Sequence, residues 1–99
     1  IMAGLSCGEP SPLAWSELEC GAAAFLAISD AAALDCLRLL AQLGIESGES
    51  GVAGLAGCLQ ASRDPTARAA LGLNAESRVL AFSTEGATDP EVYRRLLRK

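Results

Sequence analysis

Histidine is absent from the 99 residues. That alone excludes a Ser-His-Asp or Cys-His catalytic arrangement and a Cys/His zinc site. Positive charge is scarce too. Eight lysines and arginines face twelve acidic residues, for a net charge of −4 and a pI near 4.6. With no basic patch to neutralise phosphates, nucleic acid is not an expected partner. Long apolar runs are missing as well: the apolar, uncharged stretch 21–29 falls far short of the roughly 18 residues a membrane span needs. The four cysteines, Cys7, Cys20, Cys36 and Cys58, include no CxxC pair, which argues against a metal or redox site. Three of them sit in apolar or helical stretches, so buried free thiols in a reducing cytoplasm are expected rather than a disulfide framework. No signal-peptide pattern is read at the start of the chain.

What is present is mostly apolar. The composition is 51% hydrophobic and only 20% charged, with a mean hydropathy of +0.29. Disordered chains combine low hydrophobicity with high charge, so disorder is excluded. The same figures sit badly with a free-standing small domain, whose high surface-to-volume ratio calls for more polar residues. Some of this surface is expected to lie against a partner. The opening Ile1-Met2-Ala3-Gly4-Leu5 reads as a chain opened inside a larger protein.

Punctuation along the chain predicts the elements. Gly4, Gly8, Pro10 and Pro12 mark a loop over 1–12. Ser11 as N-cap with Pro12 in the first turn predicts a helix over 13–20, ended by Gly21. The apolar run 25–29 reads as a buried strand of the kind parallel sheets contain. Ser29 or Asp30 then caps a helix over 31–43, with Leu34, Leu37, Leu40 and Ala41 on an apolar face and Asp35, Arg38 and Gln42 opposite. Gly44 is its stop. Helices are predicted over 51–61, from Pro65 to near Gly72, and over 90–98, where Arg94, Arg95, Arg98 and Lys99 suit the C-terminal end of the helix dipole. A second strand is expected over 77–83. Two strands among several helices place the chain in the α/β class, and two are too few for a stable sheet.

Two patterns carry chemistry. Glycine recurs at Gly48, Gly51, Gly54 and Gly57. Inside a helix each glycine costs on the order of 1 kcal/mol against alanine. Close packing of the helix on a neighbour, or backbone approach to a flat ligand, would offset that. The second pattern, Ser83-Thr-Glu-Gly-Ala-Thr-Asp-Pro90, follows an apolar run. Asp89-Pro90 is cap and N1 chemistry. The two hydroxyls and the carboxylate before it, Ser83, Thr84 and Glu85, suit the strand-end position at which α/β proteins bind ligands.

With the N-terminal loop, these segments carry a resemblance. Ala3-Gly-Leu-Ser-Cys-Gly-Glu-Pro-Ser-Pro-Leu-Ala-Trp15, Glu46-Ser-Gly-Glu-Ser-Gly-Val-Ala-Gly-Leu-Ala-Gly57 and Ser83-Thr-Glu-Gly-Ala-Thr-Asp89 resemble the C-terminal quarter of diaminopropionate ammonia-lyase. They fall in that family's order and approximate spacing, over nearly the whole chain. A more distant likeness runs to tryptophan synthase β chain and threonine dehydratase. The resemblance implies a fold-type II, tryptophan-synthase-β-like three-layer α/β domain, of which residues 1–99 form one C-terminal segment with a few parallel strands and flanking helices. It implies pyridoxal 5′-phosphate as cofactor and a small amino-acid substrate, 2,3-diaminopropionate, converted to pyruvate and two molecules of ammonia. Its implied partners are the missing N-terminal part of the enzyme and a second copy in a homo-oligomer.

Residue by residue, the resemblance places Ser83 against the pyridine nitrogen of the cofactor, with Thr84 as the neighbouring alternative. It places Glu49 beside the ring and lets Gly48 and Gly51 bring their segment close to it. Cys7 and Gly8 fall on a loop near the substrate entrance. The family's Schiff-base lysine has no counterpart here: the only lysine, Lys99, matches no motif. The phosphate-binding glycine loop and the acid/base carboxylates are upstream in the family, so the chain by itself is expected to be inactive. The competing expectations are a segment of a related dehydratase or synthase, and a non-catalytic interaction module on the same scaffold.

Overall fold

The fold is taken from a computed structural model, which describes residues 1–98. A 3-10 turn, Ala3–Leu5, precedes five helices: α1 (Pro12–Gly21), α2 (Asp30–Gln42), α3 (Ala53–Arg63), α4 (Pro65–Leu71) and α5 (Pro90–Leu97). The starts of α1, α2, α4 and α5 are set by side-chain oxygens that satisfy the first free backbone N–H groups, whereas α3 begins after Val52 with no side-chain cap. Ser11 accepts from Ala14 N and Ser29 from Ala32 N. Asp64 accepts from Thr66 N and Ala67 N, and Asp89 from Glu91 N and Val92 N. Three helices carry proline in the first turn, where its missing donor costs nothing. The turn after α2 and the end of α4 use Gly44 at φ +76° and Gly72 at φ +67°, a left-handed backbone that side chains disfavour.

The α/β expectation is overturned. Among the described residues there is no strand and no sheet. The runs 25–29 and 77–83 have the apolar composition of strands but are irregular and unpaired. A strand exists only when a neighbouring strand takes up its backbone N–H and C=O groups, and the described residues supply none. The runs are not buried either: Phe25 is 65% exposed, Leu80 79% and Phe82 73%.

Helices α2 and α3 form the centre, with α4 against α3 and α5 against α2. The core consists of Ala33, Cys36, Leu37, Val52 and Ala56, flanked by Met2, Ile28, Leu40, Leu55, Leu59 and Tyr93. The inward stripe of α2 is therefore Ala33-Cys36-Leu37 with half-buried Leu40, the i, i+3, i+4, i+7 pattern; Leu37 and Leu40 belong to the stripe expected from leucine spacing, while Ala33 and Cys36 take the places expected for Leu34 and Ala41. Small residues at Ala33 and Ala56 let the two helices approach closely. Arg38, expected on the solvent face, is half-buried, and its Nε donates to Leu96 O at 3.0 Å.

This core is small for the chain. The described surface is 7251 Å², whereas a folded monomer of 10.1 kDa exposes roughly 5,300 Å². The radius of gyration is 14.6 Å, against about 13 Å for a compact chain of this length. The thiols also depart from expectation. All four are free, but only Cys36 is buried; Cys7 and Cys20 are exposed.

Candidate functional site

The loop between α2 and α3 is the most polar buried part of the chain. Ser47, Gly48, Ser50 and Gly51 are all buried within 46–51, although serine-glycine sequence usually reads as an exposed turn. Their burial comes from two other segments that close over the loop. One is the 83–86 stretch. Gly48 N donates to Glu85 O at 2.8 Å, and Ser47 Oγ reaches the same carbonyl at 3.3 Å and Ser83 Oγ at 2.6 Å. The other is the N-terminal 3-10 turn, where Gly4 N donates to Ser50 Oγ at 3.1 Å. The three segments that carry the family resemblance, distant in sequence, thus meet at one place.

Two glycines make the contact possible. A Cβ on Gly48 would run into Gly86 O and lie 2.9 Å from Glu85 Oε1. One on Gly51 would lie 2.5 Å from Glu85 O and 2.8 Å from Ser47 Oγ. The space that a side chain would need at these two positions is filled by the chain's own backbone. Gly54, by contrast, has nothing within 4 Å of its Cβ position, and Gly57 meets only ordinary contacts with Ile28 and Leu26 near 3.8–3.9 Å. The three-residue glycine spacing therefore divides in two: a tight half in the loop and an open half in α3, which begins at Ala53 rather than at Gly51.

The remaining predicted residues are spread around this junction. Ser83 is exposed and bonded to Ser47; Thr84 is exposed and borders a shallow depression with Leu5, Ser50, Gly54 and Phe82. Glu49 is half-buried with no polar partner among the described residues. Cys7 and Gly8 are exposed and stand apart from the serine cluster, joined to it only through the 3-10 turn that precedes them. Lys99 lies outside the described residues. Glu85, the carboxylate beside the two hydroxyls of the second pattern, also lies at the junction. Its carboxylate sits between two glycines, since a Cβ on Gly4 would lie 3.1 Å from Oε2. Ser47 and Ser50 are not singled out by the sequence, although both stand inside a segment that carries the resemblance. The available signal was serine alternating with glycine every third residue. Only the closing segments turn those hydroxyls inward.

Chemically the junction is neutral at its centre: three hydroxyls, backbone amides and carbonyls, and one carboxylate at the rim. The two ion pairs among the described residues, Ile1 N with Asp30 and Arg38 with Asp35, lie elsewhere. The exposed hydroxyl of Ser83 suits the ring nitrogen of a pyridine-type cofactor, which needs one hydrogen-bonding partner. The donor set offers nothing for the cofactor's phosphate and no described amine for its aldehyde. It therefore fits one end of the group.

The chain is similar to diaminopropionate ammonia-lyase from Escherichia coli strain K12, with 42% identity over 106 residues, covering 98% of this chain. It is also similar to diaminopropionate ammonia-lyase from Salmonella typhimurium strain LT2, with 32% identity over 102 residues and 94% of this chain. It spans about a quarter of the length of these relatives, 26% and 25%. No family model matches, and no solved structure matches. The resemblance read from the three segments is thus borne out along nearly the whole chain.

Proposed function

We propose that this chain, whose curated relatives are diaminopropionate ammonia-lyases, is the C-terminal portion of an enzyme with that activity, one that eliminates ammonia from 2,3-diaminopropionate to give pyruvate and ammonia. The observation that carries the reading is the 42% identity across 98% of the chain. Its structural support is the meeting of the three resembling segments at the Ser47–Ser83 contact.

In this reading the cofactor is pyridoxal 5′-phosphate, which supplies an electron sink for the charge left when the substrate loses its α-proton. The part played by this chain is to hold the nitrogen end of the ring. Ser83 presents a neutral hydroxyl there, with Thr84 beside it. Gly48 and Glu85 fix the loop that carries Ser47, and Glu49 borders the ring. A neutral hydroxyl cannot hold the ring nitrogen protonated as a carboxylate would. That suits elimination, because the leaving β-amino group carries charge away without the strongest possible sink.

The rest of the enzyme supplies the Schiff-base lysine, the phosphate loop and the acid/base groups, and it covers the apolar surface left open here. The excess of roughly 2,000 Å² over a compact monomer exceeds the roughly 800 Å² that each partner contributes to a standard interface and is of the size one side of a large obligate interface buries. A homo-oligomer would cover part of the same surface.

The test uses the full-length polypeptide that contains this segment. Supplied with pyridoxal 5′-phosphate and 2,3-diaminopropionate, it is expected to release pyruvate and two equivalents of ammonia. The segment alone is expected to release none and, outside Lys99 and the α-amine, to gain no stoichiometric cofactor adduct after borohydride reduction. Preference for serine or threonine over the diamine would favour the related dehydratase. Failure to turn over any amino acid would overturn the enzymatic reading.

A further inference from the structure

We propose that α1 and α5 form an interface with a second copy of the same polypeptide, α1 of one copy lying against α5 of the other, twice about a twofold axis. Neither the cofactor site nor the reaction enters into it.

α1 is a helix without a neighbour. It packs on no other helix among the described residues, and none of its residues is buried. Its ten residues are marginal as a helix in water without tertiary cover. One side of it meets Phe25 through the stacked ring of Trp15. The other side carries Leu13, 82% exposed, and Ser16, with Glu17 and Glu19 along the two edges. Both carboxylates stand in the C-terminal half of the helix, where they add to the negative end of its dipole. The last turn holds no cation to offset them.

Charge is divided along the sequence in the same sense. Residues 1–37 hold Glu9, Glu17, Glu19, Asp30 and Asp35 and no lysine or arginine. Residues 90–99 hold Arg94, Arg95, Arg98 and Lys99 against Glu91 alone. In α5 Val92, Tyr93 and Leu96 are half-buried, and the helix is fixed on α2 by the Arg38 bond to Leu96 O. Its outer stripe is therefore Glu91, Arg94, Arg95 and Arg98, spaced i, i+3, i+4, i+7, and every member is exposed. Among the described residues, none of these arginines pairs with a carboxylate, and neither Glu17 nor Glu19 pairs with a cation.

An acidic helix and a basic helix that do not meet within one chain are self-complementary between two. A twofold axis brings each α1 to the other copy's α5 and answers both sets of unpaired charge at once. The same contact covers Leu13 and the exposed Leu97. Enough surface is open for it. The excess over a compact monomer is roughly 2,000 Å², whereas a standard interface takes about 800 Å² from each partner. The remainder is left for the upstream part of the polypeptide.

The experiment is sedimentation velocity on the full-length polypeptide and two charge-reversed variants, Glu17→Arg/Glu19→Arg and Arg94→Glu/Arg95→Glu. The wild type is expected to be a dimer. Each variant carries like charge on both helices and should dimerise about a hundredfold more weakly or worse. Mixed in equal amounts, the two variants should recover a dimer containing one copy of each, because every α1–α5 contact again joins opposite signs. Native mass spectrometry resolves that mixed dimer from either homodimer. A monomeric wild type, a variant that dimerises as tightly as wild type, or a mixture of folded variants that stays monomeric overturns the proposal. Glutamate near the end of α5 opposes its dipole, so Arg94→Gln/Arg95→Gln is measured beside it. Where circular dichroism shows the reversed form unfolded, the neutral form decides: a dimer about tenfold weaker is expected, and an unchanged dimer overturns the proposal.

Discussion

Arg38 in the middle of α2 donates from Nε to the carbonyl of Leu96 in the last turn of α5, at 3.0 Å across 58 residues of sequence. A cation at a helix C-terminus meets both a free carbonyl and the negative end of the dipole. The bond fixes α5 on α2 and hence the exit of the 83–89 segment. Arg38 also approaches Asp35 at 3.7 Å, but Asp35 is largely exposed, so that pair contributes little.

Replacing Arg38 should therefore loosen one helix rather than the whole chain. Arg38→Met keeps much of the apolar stem and removes the donor, at about 1.5–3 kcal/mol for a charged hydrogen bond. Amide hydrogen exchange across Tyr93–Leu97 is expected to accelerate by roughly tenfold or more, while the central turns of α2 keep their protection. Asp35→Asn should change neither by more than about 0.5 kcal/mol. Uniform acceleration over all helices would show that α5 is not docked through this bond.

The glycines should divide by position rather than by spacing. Gly48→Ala and Gly51→Ala each force a methyl group into the backbone of Glu85–Gly86, and strain of this kind typically costs about 1–3 kcal/mol. Gly54→Ala lies in α3 over open space and is expected to stabilise by up to about 1 kcal/mol through helix propensity. Thermal melts of the three variants check this. Equal effects at Gly48 and Gly54 would contradict the contact described here.

Thiol reactivity should follow burial. Burial pushes the Cys36 thiol up, because the charged thiolate is poorly solvated in the core. At pH 7–8 a thiol reagent is expected to modify Cys7 and Cys20 rapidly and Cys36 at least tenfold more slowly. Raising the pH should recover the Cys36 rate later than for a free thiol. In denaturant all four should react alike. A fast-reacting Cys36 in the native chain would mean that α2 and α3 separate readily.

The open apolar surface should be visible in solution. Phe25, Leu80 and Phe82 are exposed on runs with no covering layer. The isolated 99-residue chain is expected to self-associate in light scattering as concentration rises and to bind a dye that reports apolar surface. The same runs within the full-length polypeptide should be silent. A monomeric, dye-silent chain would show that the small core is self-sufficient.

Local chemistry was legible from the residues alone. Ser11-Pro12, Ser29-Asp30, Pro65 and Asp89-Pro90 mark helix starts, and Gly44 and Gly72 mark ends through their own backbone angles. Such signals need no distant partner. The runs 25–29 and 77–83 were misread because apolar composition specifies that a segment wants cover, not that a neighbouring strand exists to pair with it. Ser83 could be named from the resemblance, but its partner could not. Ser47 and Glu85 lie 38 positions apart, and the glycine loop acquires its meaning only when the 83–86 backbone closes on it. Caps and stops follow from near neighbours in sequence. Whether a serine faces water or becomes a buried donor depends on which remote segment covers it, and only the tertiary structure decides that.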